Sequence, residues 1–341
     1  MRDPLSITDR DKLMELLSSR QKGDAVPSES HLRQTILGRV RGQDHVVEDL
    51  VRLIRQQKAK VRRDRPVANI LFVGPTGTGK TEMAKAVAEA LYGDEKQMKR
   101  IDCADLTPQQ GKTRLIGTTK GFVGAEDGGE LTRAMLSNPN RVVLFDEVEK
   151  AASEVFDLFL SMMGEGRLTE QGSGRVADFT KSIIILTCNK EHEAIARIAD
   201  EVSDPYEQAD AIKKHLRDSQ AFRPEILGRF DRIYVFKSLP KEILAEITAL
   251  RTIALARQYD LEVEYVDPYL LFDALSASLK LADFGTRELV RVLDTMFADG
   301  MIAARDAGAT KISLHRNSAG GLDVQPVLQN QHLSGVASHA C

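Results

Sequence analysis

The chain has 341 residues, a formal net charge of −3 and 42% hydrophobic residues, enough for about two domains with substantial cores. This charge balance argues against a surface built overall for polyanions. No run of 18 apolar residues offers a membrane span, and MRDPLSITDRDK lacks the apolar centre of a signal peptide. The cysteines Cys103, Cys188 and Cys341 have neither metal-ligand spacing nor the even number of a disulfide framework, so a reduced, cytoplasmic setting is expected.

Residues 1–35 read as a short helix, DKLMELLSSR (11–20), followed by the polar linker QKGDAVPSES. A core from 36 to 237 comes next, with strand candidates NILFV (69–73), KRIDC (99–103), VVLFD (142–146), SIIILTC (182–188) and RIYVF (232–236). Helical segments alternate with these apolar runs, which predicts an α/β fold with a parallel five-stranded sheet covered on both faces. Within it, the basic stretch RQQKAKVRRDR (55–65) reads as a solvated helix end, and Cys103 and Cys188 read as buried thiols beside strands. From 238 to 327 the pattern turns mostly helical: 241–260, 269–279 and 286–308 are amphipathic. KISLHR (311–316) and GLDVQPV (321–327), joined around Gly320 and Gly321, predict a closing hairpin. The polar residues 328–341 are expected to be a disordered tail.

Two strings carry chemistry. Gly74-Pro75-Thr76-Gly77-Thr78-Gly79-Lys80-Thr81 matches G-x-x-x-x-G-K-[ST], between an apolar strand and the helix former TEMAKAVAEALY. Glycines let backbone N–H groups close on phosphate oxygens, Lys80 is suited to the β- and γ-phosphates, and the Thr81 hydroxyl to Mg²⁺. VVLFDE then ends a buried strand on Asp146 and Glu147, at the sheet edge where α/β folds bind ligands. Asp146 suits the Mg²⁺ shell, and Glu147 suits polarising the attacking water. Binding and hydrolysis of ATP are expected.

Further strings in the same order resemble one family: GRVRGQDHVVEDL (38–50), RLIG (114–117), GFVGAEDGGELT (121–132), LFDEVEKA (144–151), GRLTEQGSGRVADF (166–179), ILTCN (185–189), FRPEILGRFD (222–231) and FGTRELVR (284–291). Over about residues 36–327 the chain is similar to the AAA+ ATPases of the Clp class, in particular the second ATPase domain of ClpA/ClpB-type unfoldases. The resemblance implies a P-loop NTPase core with a C-terminal helical lid. It makes Asn189 the polar sensor that orients water, Arg229 the arginine finger reaching a neighbouring subunit's nucleotide, and Arg287 the lid arginine that contacts phosphates in cis. Val40 and Arg41 take the place where the family packs apolar residues on adenine, and Arg41 departs from that pattern.

Gly121-Phe122-Val123-Gly124 resembles the family's pore loop, with phenylalanine for the usual tyrosine. An aromatic residue between glycines is a poor core element and suits a tip that grips extended polypeptide. The segment 166–179 would form a hairpin beside the channel. The resemblance implies a nucleotide-dependent homo-hexamer acting on a protein client. With one ATPase module, residues 1–35 and 317–341 are the segments expected to recruit an adaptor. An AAA+ nucleic-acid motor or loader is the alternative, which predicts basic channel residues where the chain has Glu126, Asp127 and Glu130. A nucleotide-switched scaffold would not need Glu147, Asn189 and Arg229. Clp unfoldases that feed a compartmental peptidase carry an Ile-Gly-Phe or Ile-Gly-Leu tripeptide between the sensor strand and the arginine finger; the interval Lys190–Ala221 contains no glycine, so the resemblance implies no ClpP-like peptidase partner.

Overall fold

A computed structural model describes residues 27–122, 124–279, 286–318 and 320–327, with residues 205, 206, 286 and 287 described through their backbone alone. The helix expected at 11–20, Val123 and the tail at 328–341 lie outside the described residues. The chain divides into two compact units, Met1–Ser238 and Leu239–Cys341.

The first unit opens with α1 (Glu29–Arg39), capped by the Ser28 hydroxyl accepting from the His31 N–H, and α2 (Asp44–Lys58). Then follow β1 (Ala68–Val73), α3 (Lys80–Tyr92), β2 (Met98–Asp102), α4 (Gly111–Ile116), α5 (Glu130–Ser137) and β3 (Val142–Asp146). After these come α6 (Phe156–Glu165), β4 (Arg167–Thr169), β5 (Val176–Asp178), β6 (Ile183–Cys188), α7 (His192–Glu201), α8 (Pro205–Asp218), α9 (Pro224–Leu227) and β7 (Arg232–Val235). The expected five-stranded parallel sheet is present, in the order β2-β3-β6-β1-β7.

Every residue of β1, β3 and β6 is buried, as their unbroken apolar runs require. Alternate side chains go to opposite faces. Ile70 and Phe72 join Leu50 and Ile54 of α2 and Met83 and Val87 of α3, whereas Leu71 and Val73 join Phe145, Phe159 and Phe230. Truncating a ring such as Phe72 to alanine would cost about 3–5 kcal/mol. Leu71, Leu186 and Phe145 form one row across β1, β6 and β3. This register brings the segments that follow three neighbouring strands to one edge: Gly74 after β1, Asn189 after β6 and Glu147 after β3. β4 and β5 form a separate antiparallel hairpin, and Cys103 and Cys188 are buried thiols.

The second unit contains α10 (Lys241–Gln258), β8 (Glu262–Val266), α11 (Pro268–Leu279), α12 (Thr286–Asp306), β9 (Lys311–Arg316) and β10 (Leu322–Pro326). The expected β9–β10 hairpin is there, and β8 adds a third strand parallel to β9 that the hydrophobic pattern did not reveal. β8 reads EVEYV and is largely exposed, so it carries no apolar run to signal it. Leu255, Leu270, Leu293, Phe297, Ile312 and Leu314 form this unit's core. Among the described residues no helix is long and apolar enough to cross a membrane.

Candidate nucleotide-binding and hydrolysis site

The phosphate loop leaves β1 at Gly74 and enters α3 at Lys80. Its turn is closed by the Thr78 hydroxyl donating to the Pro75 carbonyl at 2.9 Å, while Thr76 faces solvent. Gly77 and Gly79 have φ of +80° and +98°, a region that side chains disfavour. Gly79 caps α3 with no side-chain hydrogen bond, so the first-turn N–H groups and the helix dipole are left to an anion. The Lys80 ammonium is buried and donates to the carbonyls of Gly74 and Pro75, both at 2.7 Å. Burial pushes its pKa down to about 8, against the opposing pull of Asp146. Val40 is buried beside the loop, its Cγ1 3.8 Å from where a Cβ on Gly79 would stand, and Arg41 is half-buried next to it. Gln43, also buried, donates to the carbonyls of Thr78 at 3.4 Å and Lys237 at 2.8 Å, tying the loop to the segment after β7.

At the end of β3 the Asp146 carboxylate is fixed from both sides. Oδ1 accepts from the Thr187 hydroxyl at 2.6 Å; Oδ2 accepts from the Thr81 hydroxyl at 3.3 Å and pairs with Arg100 at 2.7 Å. Glu147 turns sharply out of the strand with φ +56° and ψ +53°, a conformation that costs a non-glycine residue about 1–3 kcal/mol. Its N–H donates to Thr187 Oγ1 at 2.9 Å, which anchors the turn. Its carboxylate accepts from Asn189 Nδ2 at 3.0 Å and from Lys150 Nζ at 2.6 Å. This carboxylate raises the pKa of Lys150. Glu149 Oε1 accepts from the Asn189 N–H at 3.0 Å and so fixes the backbone beside the sensor position.

The donor set fits a triphosphate with Mg²⁺. Thr81 and Asp146 offer the hard oxygens that Mg²⁺ prefers, next to uncapped N–H groups and a buried ammonium. Asn189 Oδ1 and Glu149 Oε2 are buried with no partner, so the site holds acceptors that the protein itself does not satisfy.

Arg229, Phe122 and Arg287 are the remaining sequence-predicted residues. Asn69, second in β1, donates through its side chain to the carbonyls of Met163 at 2.9 Å and Arg229 at 3.2 Å, and its own carbonyl accepts from the Asp231 N–H at 2.8 Å. Arg229 is thereby fixed near the amino end of β1, while the phosphate loop leaves the carboxyl end. Five strand residues at about 3.3 Å each separate the two levels by roughly 16 Å. The Arg229 guanidinium is exposed, lies against Gly164 and has no ion-pair partner among the described residues. Phe122, between Gly121 and Gly124, is 70% exposed. Arg287 lies in the first turn of α12, with its side chain outside the described residues.

Residues 65–233 match the model of the AAA domain (Cdc48 subfamily). The chain is 35% identical over 286 residues to the negative regulator of genetic competence ClpC/MecB of Bacillus subtilis, an alignment covering 79% of this chain and 34% of that protein. It is 36% identical over 267 residues to the chaperone protein ClpB of Bdellovibrio bacteriovorus, covering 78% and 30% respectively. To the chloroplastic chaperone protein ClpB2 of Oryza sativa it is 38% identical over 224 residues, covering 65% and 23%. This chain belongs to the Clp-type AAA+ ATPases. It spans about a third of the length of the first two relatives.

Within this Clp-type ATPase, sequence reasoning left out Gln43, Arg100, Glu149 and Thr187 as site residues. Gln43, Glu149 and Thr187 lie inside family motifs whose residues carry no individual signal. Arg100 and Thr187 take their meaning from Asp146, on a neighbouring strand and 46 and 41 positions away respectively. No local spacing could have signalled either.

Proposed function

We propose that this Clp-type ATPase uses ATP hydrolysis to unfold or disassemble protein clients, acting in the cytoplasm as a ring of six copies without a dedicated peptidase. Residues 36–237 would be the ATPase domain and 238–327 its lid, with residues 1–35 or 317–341 recruiting an adaptor. Thr81 and Asp146 would hold Mg²⁺, which when bound neutralises charge on the phosphate oxygens. Glu147 takes the proton of the attacking water, and Asn189, already 3.0 Å from its carboxylate, orients that water. Gly74 to Lys80 cradle the phosphates, Val40 and Arg41 flank the base, and Arg287 contributes from the lid. Arg229 serves a neighbouring copy, because its backbone is fixed near the end of β1 opposite the phosphate loop. The Lys190–Ala221 interval is filled mainly by α7 and α8, which supports a mode of action without a peptidase-docking loop.

The observation that carries the protein-client reading is Phe122, a large apolar side chain left 70% exposed on a glycine-flanked loop among acidic neighbours Glu126 and Asp127. Phe122→Ala should keep ATP turnover within about twofold and reduce the unfolding of a labelled protein client at least about tenfold. Client unfolding at the wild-type rate by this variant would contradict the reading.

A further inference from the structure

The β4–β5 hairpin holds a charged residue where few are kept. Glu170 is only 6% exposed, and a buried carboxylate persists only where donors satisfy it. Oε1 accepts from the Gly129 N–H at 3.3 Å and the Thr132 hydroxyl at 3.1 Å, and Oε2 from the Ser173 hydroxyl. Gly129 caps α5 and Thr132 lies in its first turn, so the helix dipole also favours the negative charge. Ser173, Thr132 and Gly129 together hold the carboxyl below the usual carboxylate range.

Gly129 and Thr132 lie at the base of the loop that carries Phe122, and the hairpin turn grips that loop at other points. The Gln171 N–H donates to the Ile116 carbonyl at 2.8 Å, and the Thr119 hydroxyl donates to Gln171 Oε1 at 2.8 Å. Gly172 passes so close to Ala125 that a Cβ there would stand 2.1 Å from its carbonyl oxygen. Both halves of the loop, 117–122 and 124–129, are therefore pinned to the hairpin. In chain order the hairpin falls between the two hydrolytic strands, which pair directly with each other in the sheet: α6 leads into it after β3, and β5 leads out of it into β6. Glu147 precedes it and Asn189 follows it.

We propose that Glu170 is a positioning residue: it fastens the Phe122 loop to the hairpin, so that changes at Glu147 and Asn189 on nucleotide binding are carried to the loop. The benefit for client work rests on the reading of Phe122 above, whereas the fastening itself does not. Glu170→Ala removes the acceptor of Gly129 and Thr132, while Glu170→Gln keeps an acceptor oxygen in place.

The test is amide hydrogen exchange across 117–129 in the full chain, with and without a slowly hydrolysed ATP analogue, alongside the KM for ATP. Wild type and Glu170→Gln should show nucleotide-dependent protection of these amides. Glu170→Ala should exchange there about tenfold faster and lose the nucleotide dependence, with the KM for ATP unchanged. Gln171→Ala, at the exposed rim, should move exchange the same way by less and covers the case in which Glu170→Ala does not fold. Nucleotide-dependent protection that survives both alanine variants, or that is missing from wild type, would overturn the proposal. Binding of labelled casein by Phe122→Ala is measured in parallel. Unchanged binding there would sink the client reading and leave the exchange result to judge Glu170 alone.

Discussion

The side chains around Asp146 and Glu147 are bonded to one another within the chain, whereas Arg229 and Phe122 stand exposed. Asp146 is held by Thr81, Thr187 and Arg100, and Glu147 by Thr187, Asn189 and Lys150. Arg229 is hydrogen-bonded through its backbone, and its guanidinium rests against Gly164 with no ion pair among the described residues. Phe122 is held through the backbone of its loop and the hairpin beneath it. Groups that do chemistry inside one subunit need preorganised partners in that subunit. Groups meant for another molecule need a rigid base and a free end. Under the proposed function, local bonding thus separates parts that would act within the chain from parts that would act on a neighbour or a client.

The largest effect that would break this comparison is expected at Arg229. A cation delivered to a developing phosphoryl charge is worth about 10³–10⁵ in rate in related NTPases. Arg229→Ala should therefore lower ATP turnover by about that much while nucleotide affinity, read by fluorescence of a bound analogue, stays near wild type. A loss of affinity equal to the loss of turnover would put Arg229 in its own subunit's site.

Glu147→Gln comes next, with a loss of about 10²–10⁴ in turnover expected for removal of a general base. Its amide oxygen can still accept from Asn189, and its backbone N–H still donates to Thr187, so the fold and nucleotide binding should be retained and bound ATP should stay intact. Turnover near wild type in a radiolabelled phosphate assay would remove Glu147 from the chemistry.

The smallest of these effects is the pH dependence of binding. The buried Lys80 has a pKa of about 8 without nucleotide, and in its proposed role phosphate oxygens would hold it protonated in the complex. Binding then takes up a proton above that value. Affinity should be flat below pH 8 and fall as pH rises, by up to about tenfold per unit. Lys80→Arg should remove the slope. A wild-type affinity constant between pH 7 and 9.5 would show that the ammonium is not a phosphate ligand.

Much of the first region was legible in the sequence because its signals are local. Glycines at 74, 77 and 79, a lysine entering a helix and an acidic pair ending an apolar run are each set by neighbours in sequence. Strands β1, β3 and β6 were legible for the same reason, since strands buried on both faces must be continuously apolar, whereas β2 (MKRID) is only partly buried. Strand β8 was not legible, because an exposed EVEYV has no such run. The cross-strand partners were also hidden. Arg100 meets Asp146 only because β2 lies beside β3 in register, Asp102 opposite Asp146. Glu170 reads as one more acidic turn residue until the fold buries it under α5.

In the proposed assembly Arg229 would complete a neighbour's site while Lys80 serves its own. Mixing Arg229→Ala with Lys80→Ala subunits tests this most directly, with subunit exchange verified by energy transfer between labelled copies. Each variant alone should be inactive. In mixed assemblies, interfaces that pair an intact Lys80 with an intact Arg229 should restore a measurable share of wild-type ATP turnover. Verified mixing with no recovery at any ratio would show that Arg229 does not act across a subunit boundary.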